Sequence, residues 1–401
     1  RICLVGSEMC IRDRDGTLDI ILGAANSDIQ DISIFSVETP ASFSEISATH
    51  TIIAPASNAF GFEVVAFEDI HTLSLSGLAA TSMTDLFTFY GPITADVDTA
   101  KALGHFESDD PEQLNNWSPL NLFEAGDVTF SGGGALGLTV EGSDGEGAIL
   151  LLADVSGRGH LSEAYSEIVY VGKNNGASTV IPTTEDVTGD GLDDLIVGAP
   201  YSSINGPSSG AIFFIEGPVE KVSSLTDAVS IQGESLDFLG VPVSSAGDIN
   251  ADGYRDLIVG SVFADVDDVS AAGKSYLLNG PISVEAGLDI AVAQFSGVEL
   301  QEFFGVTPPG RLGKDINNDG FDDVVLGAAS PSTRIYYGPV SGTHTSLDAD
   351  ASLTNNEMST SEPMLLNDVT GNERNDIFIM QRSSLTNKAV TRAYLVEGQG
   401  D

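Results

Sequence analysis

Three stretches of the chain set oxygen-bearing side chains at one spacing. Asp186, Thr188, Asp190 and Asp194 stand at relative positions 1, 3, 5 and 9, as do Asp248, Asn250, Asp252 and Asp256, and again Asp315, Asn317, Asp319 and Asp323. Position 6 is glycine each time (Gly191, Gly253, Gly320), which permits a sharp turn, and Leu192, Tyr254 and Phe321 at position 7 offer a backbone carbonyl. A hard cation such as calcium takes roughly six to eight oxygen ligands and is served by turns of this kind. Solvated acidic turns without metal are the bland alternative. They do not explain why the spacing repeats three times. A helix-flanked calcium loop would carry glutamate at position 12, where this chain has Val197, Val259 and Leu326. Instead each loop runs into a short β-rich apolar stretch ending in glycine, which predicts a strand buried on both faces.

Degraded copies extend the pattern. Loop starts fall at Ile11, Asp69, Asp127, Asp186, Asp248, Asp315 and Asp368, 53 to 67 residues apart. Asp368, Thr370, Asn372 and Asp376 keep ligand positions, but Glu373 stands where glycine belongs, which leaves a metal there open. Asp69 opens a shortened loop and the Asp127 loop has Ala135 at position 9, so both read as metal-free copies. In the first repeat Asp13, Asp15, Gly16 and Asp19 fit while Ile11 occupies position 1. A second marker, a strand running into Gly-Pro, keeps the same period at Pro92, Pro218, Pro281 and Pro339.

The elements that must hold these loops follow from the repeat. Each unit reads as four short strands, typified by 241–246 before the loop, 257–260 after it, 273–278 into Gly-Pro, and an alternating piece at 288–295. A four-stranded unit cannot bury both faces alone, so neighbours must stack. The expectation is an all-β, seven-bladed β-propeller of four-stranded antiparallel blades over residues 14–401, with a linear solenoid as the alternative. The seventh repeat lacks its fourth strand, so the terminal blades are expected to be incomplete. Residues 1–13 are set apart, because the tract from Leu4 to Asp13 resembles a translated sequencing adapter. Both cysteines, Cys3 and Cys10, lie in or directly beside it and say nothing about compartment. No signal peptide is visible, and the N-terminus is expected to be truncated.

These residues resemble the FG-GAP repeat family, found in integrin alpha-subunit heads and in secreted bacterial proteins. The family's elements stand as Phe60-Gly61, Phe304-Gly305 and the variant Leu239-Gly240, followed by Gly198-Ala199-Pro200 and, in looser form, by 327–329 and 23–25. The resemblance implies that the acidic loops join the first two strands on one propeller face and hold Ca2+. The side chains at positions 1, 3, 5 and 9 and the carbonyls of Leu192, Tyr254 and Phe321 would be the ligands. It also implies a secreted or cell-surface binding or adhesion module for an extracellular protein or carbohydrate.

Composition bounds the partners. Net charge is −43, from 59 acidic and 16 basic residues, which argues against nucleic acid and against an anionic membrane surface. Three calcium ions would bring it only to −37, leaving the rest to ionic screening. No apolar run approaches the length of a membrane-spanning helix. Catalysis is not expected: Ser208 sits in a Gly-x-Ser-x-Gly pattern but between strands, without the helix a nucleophile elbow requires. His50, His71, His105, His160 and His344 show no metal-ligand spacing. The competing readings are an accessory or catalytic domain acting on extracellular polysaccharide or phosphodiester, and a purely structural module of a longer surface protein. Variable loops on a rigid scaffold are where binding usually resides, and Trp117, Tyr201 and Phe263 are the ligand-contacting candidates, placed opposite the metals.

Overall fold

The apolar stretches behind the acidic loops are strands, and their alternation sends successive side chains to two different cores. Leu257 and Val259 pack with Ile196, Ile212 and Phe214 of the preceding sheet. Between them Ile258 turns the other way, to Leu277, Phe304, Val324 and Tyr336. Val324 and Leu326 repeat the rule on one side and Val325 on the other, with Leu365 and Ile377. Burying such a side chain contributes about 1.5–3 kcal/mol. A continuous apolar run therefore serves two inter-sheet cores at once.

The computed structural model describes residues 2–4, 10–12, 18–25, 30–37, 50–53, 64–67, 77–82, 85–90, 93, 95–107, 118–126, 128, 134–141, 147–152, 155–161, 167–170, 181–219, 225, 228–282, 287–305, 313–330, 332–354, 360–368, 372–383 and 390–398. The chain divides into two compact units, residues 1–178 with 217–227, and residues 179–216 with 228–401.

In the first unit the described strands form three sheets. Leu18–Ala25, Gln30–Val37 and His50–Ile53 pair antiparallel, with Ile2–Leu4 and Cys10–Arg12 both on the free edge of Leu18–Ala25. A second sheet runs Val64–Phe67, Gly77–Thr81, Asp85–Tyr90 and Gly104–Glu107. A third runs Ser118–Glu124, Leu136–Glu141, Gly147–Leu152 and Glu167–Tyr170.

The second unit holds four sheets among its described residues. Ile181–Glu185, Asp194–Ala199, Ala211–Ile215 and Val229–Gln232 make an antiparallel four, and Val243–Gly247, Asp256–Ser261, Lys274–Leu278 and Ala293–Ser296 another. Val324–Leu326, Ser332–Tyr336 and Ala351–Thr354 follow. The last sheet has Thr360–Leu366, Asp376–Ser383 and Val390–Val396.

Two details differ from expectation. The piece expected as one strand over 288–295 splits into a 3-10 turn, Leu288–Ile290, and a strand, Ala293–Ser296, because the Ile290 and Ala291 amides close back onto Gly287 and Leu288. Three sheets also gain a parallel strand on their outer edge: Val97–Asp98 on His50–Ile53, Gly157–His160 on Gly104–Glu107, and Gly342–Thr345 on Ala293–Ser296. Each comes from later in the chain and covers an edge that would otherwise present unpaired N–H and C=O groups.

The glycine-bearing markers meet in space. The Gly240 amide donates to the Gly260 carbonyl at 2.8 Å, and that of Gly305 to Gly327 at 2.9 Å, so each repeat ties its Phe/Leu-Gly element to its own second strand. Gly240 has φ 113° and lies against Gly198 of the preceding sheet, where a side chain on either would strike backbone.

Candidate functional site

Each acidic loop is built around its first aspartate. The Asp248 carboxylate accepts the Asp252 amide and the Gly253 amide, both at 2.9 Å. Asp186 does the same for Gly189, Asp190 and Gly191, and Asp315 for Asn318, Asp319 and Gly320. Position 5 then caps position 7: Asp190, Asp252 and Asp319 accept the amides of Leu192, Tyr254 and Phe321. These turns wind the chain so that positions 1, 3 and 5 converge, with Asn250 Nδ2 only 2.8 Å from Asp252 Oδ2. Gly191, Gly253 and Gly320 have φ of 91°, 93° and 96°, the left-handed region that glycine enters without strain.

Position 9 behaves differently. Asp194, Asp256 and Asp323 are buried at the foot of each loop. Asp256 accepts the Ile249 amide at 2.8 Å and the Gly280 amide at 2.9 Å, while Asp323 accepts those of Ile316 and Gly338. Asp194 takes the Val187 and Thr188 amides. A carboxylate oxygen has more than one lone pair, so these bonds leave room for a cation. Burial pushes Asp256 and Asp323 up to about 6, the neighbouring loop carboxylates add to the rise, and the amide bonds oppose it.

The residues fit a hard cation. The donors are all oxygen: each loop has two carboxylates among positions 1, 3 and 5, with a hydroxyl (Thr188) or an amide (Asn250, Asn317) as the third. In the first loop Thr188 Oγ1, at position 3, is shielded from solvent and has no hydrogen-bond partner. An unpaired buried hydroxyl beside three carboxylates is a ready ligand. The Asp368 loop keeps part of this frame: Asp368 accepts the Asn372 and Glu373 amides, and Glu373 takes the left-handed conformation, φ 64°, at glycine's place. Thr370 lies outside the described residues, as do Asp69 and Asp127.

A pH dependence follows from position 9. A carboxyl that holds its proton more tightly when folded, near 6, than when unfolded, near 3.8, favours the fold most at low pH. That contribution is lost as pH rises through about 6. The expected result in EDTA is a higher melting temperature at pH 5.5 than at pH 7.5, with calcium restoring more stability at pH 7.5. Calorimetry at the two pH values checks it; a larger calcium increment at pH 5.5 would contradict it.

The opposite strand ends carry the aromatic candidates. The acidic loops enter Asp194–Ala199 and Asp256–Ser261, and Tyr201 and Phe263 follow the far ends of the same strands, 46% and 43% exposed. They belong to a row the sequence did not reveal. Tyr201 meets Phe238 at 5.6 Å between ring centroids, Phe238 meets Phe263 at 5.2 Å, and Phe263 meets Phe303 at 5.4 Å. Leu236 and Leu300, in the same two turns as Phe238 and Phe303, are 61% and 70% exposed. A signal was available: Phe238 and Phe303 each stand directly before the Leu/Phe-Gly pair of their repeat. Trp117 lies outside the described residues.

Histidine gives one correction. His105 does not stand alone: its Nε2 lies 3.1 Å from Asp85 Oδ1, its ring stacks on Phe87 at 4.4 Å, and Asp85, His105 and Glu107 bring their ligand atoms within 4.8 Å of one another. Antiparallel register does this, setting Glu107 opposite Asp85 and His105 opposite Phe87. Twenty residues of separation hid the group from spacing rules. Ser208 lies in a turn between Asp194–Ala199 and Ala211–Ile215, its amide on Ser203 Oγ, and a strand follows it rather than a helix.

Residues 173–215 match the FG-GAP repeat family. Integrin alpha-6 of Gallus gallus is 28% identical over 154 residues, 38% of this chain and 13% of that protein. Integrin alpha-3 of Cricetulus griseus is 27% identical over 190 residues, 46% of this chain and 17% of its own length. The matched part is thus under a fifth of these relatives. Among solved structures, BBS1N in complex with ARL6DN, soaked with mercury, aligns over 99% of this chain and 95% of its own with a TM-score of 0.54 at 10% identity, which bears on the fold alone. That neighbour is a β-propeller, matching the stacked antiparallel sheets. Residues 173–215 thus carry an FG-GAP repeat, and the repeated loops and these relatives together make the chain similar to FG-GAP repeat proteins of the integrin alpha kind.

Proposed function

We propose that the chain is a seven-bladed, calcium-binding propeller that works outside the cell as a binding or adhesion module, secreted or held at a cell surface. The observation that carries this is the aromatic row from Tyr201 to Phe303 at the strand ends opposite the acidic loops. Exposed rings on rigid turns anchor a partner at modest entropic cost. Integrin alpha relatives support a protein partner. Exposed rings also stack on sugar faces, which keeps carbohydrate as an alternative. Among the described residues no helix is long and apolar enough to cross a membrane, and a charge of −43 disfavours nucleic acid.

The test probes the purified chain in calcium against arrayed secreted proteins and glycans. Tyr201→Ala and Phe263→Ala should each weaken the bound partner about tenfold, while stability falls by no more than about 1 kcal/mol, as for surface positions. A partner indifferent to both substitutions would overturn the assignment of this face. A second, hydrolytic reading rests on one observation, the clustering of the His105 imidazole with the carboxylates of Asp85 and Glu107. Turnover of a phosphodiester or polysaccharide that disappears in His105→Ala would establish it.

A further inference from the structure

Position 8 of each acidic loop offers no ligand, yet in three successive repeats of the second unit it reaches back to the start of the loop before it. Asp322 Oδ2 accepts the Asp248 amide at 2.8 Å, and the Asp322 amide approaches the Asp248 carbonyl at 3.3 Å. Asn375 Nδ2 donates to the Asp315 carbonyl at 2.8 Å. Arg255 Nε stands 3.8 Å from the carboxylate of Glu185, the buried residue just before Asp186. Three different side chains make three different bonds to one place. What recurs is the position, not the residue type.

The approach is built into the backbone. Gly247, with φ 78°, leaves the space that the Asp322 carboxylate fills. The Gly-Pro exit adds a second brace at position 2: the Ile282 amide donates to the Val187 carbonyl at 2.7 Å. In the first unit the Val219 amide does the same to Val128 at 2.6 Å, within the degraded Asp127 copy. Gly338 and Gly398 lie against the carbonyls of Ile249 and Ile316, where a β-carbon would come within 2.9 Å.

We infer that each acidic loop is completed by the repeat that follows it, so that Asp322 is a positioning residue for the cation ligands of the Asp248 loop and Asn375 for those of the Asp315 loop. The inference rests on the calcium reading for its affinity consequence and not for the brace. Fixing both backbone groups of Asp248 fixes the residue whose carboxylate opens the ligand set. Partners that orient metal ligands without touching the metal themselves typically change affinity about 10- to 100-fold when removed. The effect crosses from one repeat to its predecessor and not in reverse.

Hydrogen exchange read by mass spectrometry reports each loop separately in the full chain. In Asp322→Ala, the calcium needed for half-protection of 248–256 should rise about tenfold, while that for 315–323, which keeps every ligand of its own, should change less than about twofold. Asp322→Asn retains an oxygen for the Asp248 amide and should restore most of the protection. Equal shifts in both segments, or no shift in 248–256, would overturn the inference. In EDTA, the Asp248 and Ile249 amides should exchange faster in Asp322→Ala than in the parent chain. That arm still decides the brace if calcium protects neither loop, an outcome that would sink the calcium reading alone.

Discussion

Chelating calcium at constant ionic strength should lower the melting temperature of the second unit by on the order of 10 °C or more. The three complete loops all lie in this unit. At free calcium of about 10 mM and site constants of about 10⁻⁴ to 10⁻³ M, common in extracellular modules, each site contributes about 1.4–2.7 kcal/mol by mass action. Three sites reach about 4–8 kcal/mol, comparable with the whole stability of many domains. Simple screening is a competing cause in a chain of charge −43. It depends on ionic strength and not on the identity of the salt, so sodium chloride matched to the calcium salt separates the two. Magnesium, which dehydrates reluctantly and demands octahedral geometry, should replace calcium poorly. A melting temperature indifferent to EDTA at matched ionic strength would refute the prediction.

The loops were legible in sequence because each keeps its candidate ligands within nine residues, where spacing alone states the geometry. The inter-sheet cores were legible for the same local reason: a short β-rich run bounded by turn residues, such as Leu257 to Val259 before Gly260, reads as a strand with two buried faces. What escaped depends on neighbours distant in the chain. The Asp85–His105 pair exists through strand register, and the contact between Phe238 and Phe263 through stacking of successive turns. The parallel edge strands were hidden likewise, since Gly342–Thr345 pairs with a strand almost fifty residues earlier. Within the loops one difference was also invisible. Spacing ranks Asp252 and Asp256 as equal ligands, whereas the fold exposes the first and buries the second beneath two amides.

That difference makes the two aspartates separable by experiment, although both are named ligands of one loop. Asp256→Ala strips the acceptor from the Ile249 and Gly280 amides, both in buried surroundings. An unsatisfied buried donor costs about 1–3 kcal/mol, so the substitution should cost about 2–6 kcal/mol even in EDTA. Asp256→Asn should fall between, because its amide can accept from one of the two groups while turning a donor toward the other. Asp252 is exposed and its carboxylate caps only the exposed Tyr254 amide and meets Asn250. Asp252→Ala should therefore cost less than about 1 kcal/mol in EDTA. In calcium it should cost about 1.4–2.7 kcal/mol more, the increment of one lost site, and calorimetric titration should count one site fewer. Equilibrium unfolding of the parent and three variants, each with and without calcium, reads all of these values. Equal costs for Asp252→Ala and Asp256→Ala in EDTA would mean that position 9 serves only as a ligand and carries none of the loop's structure.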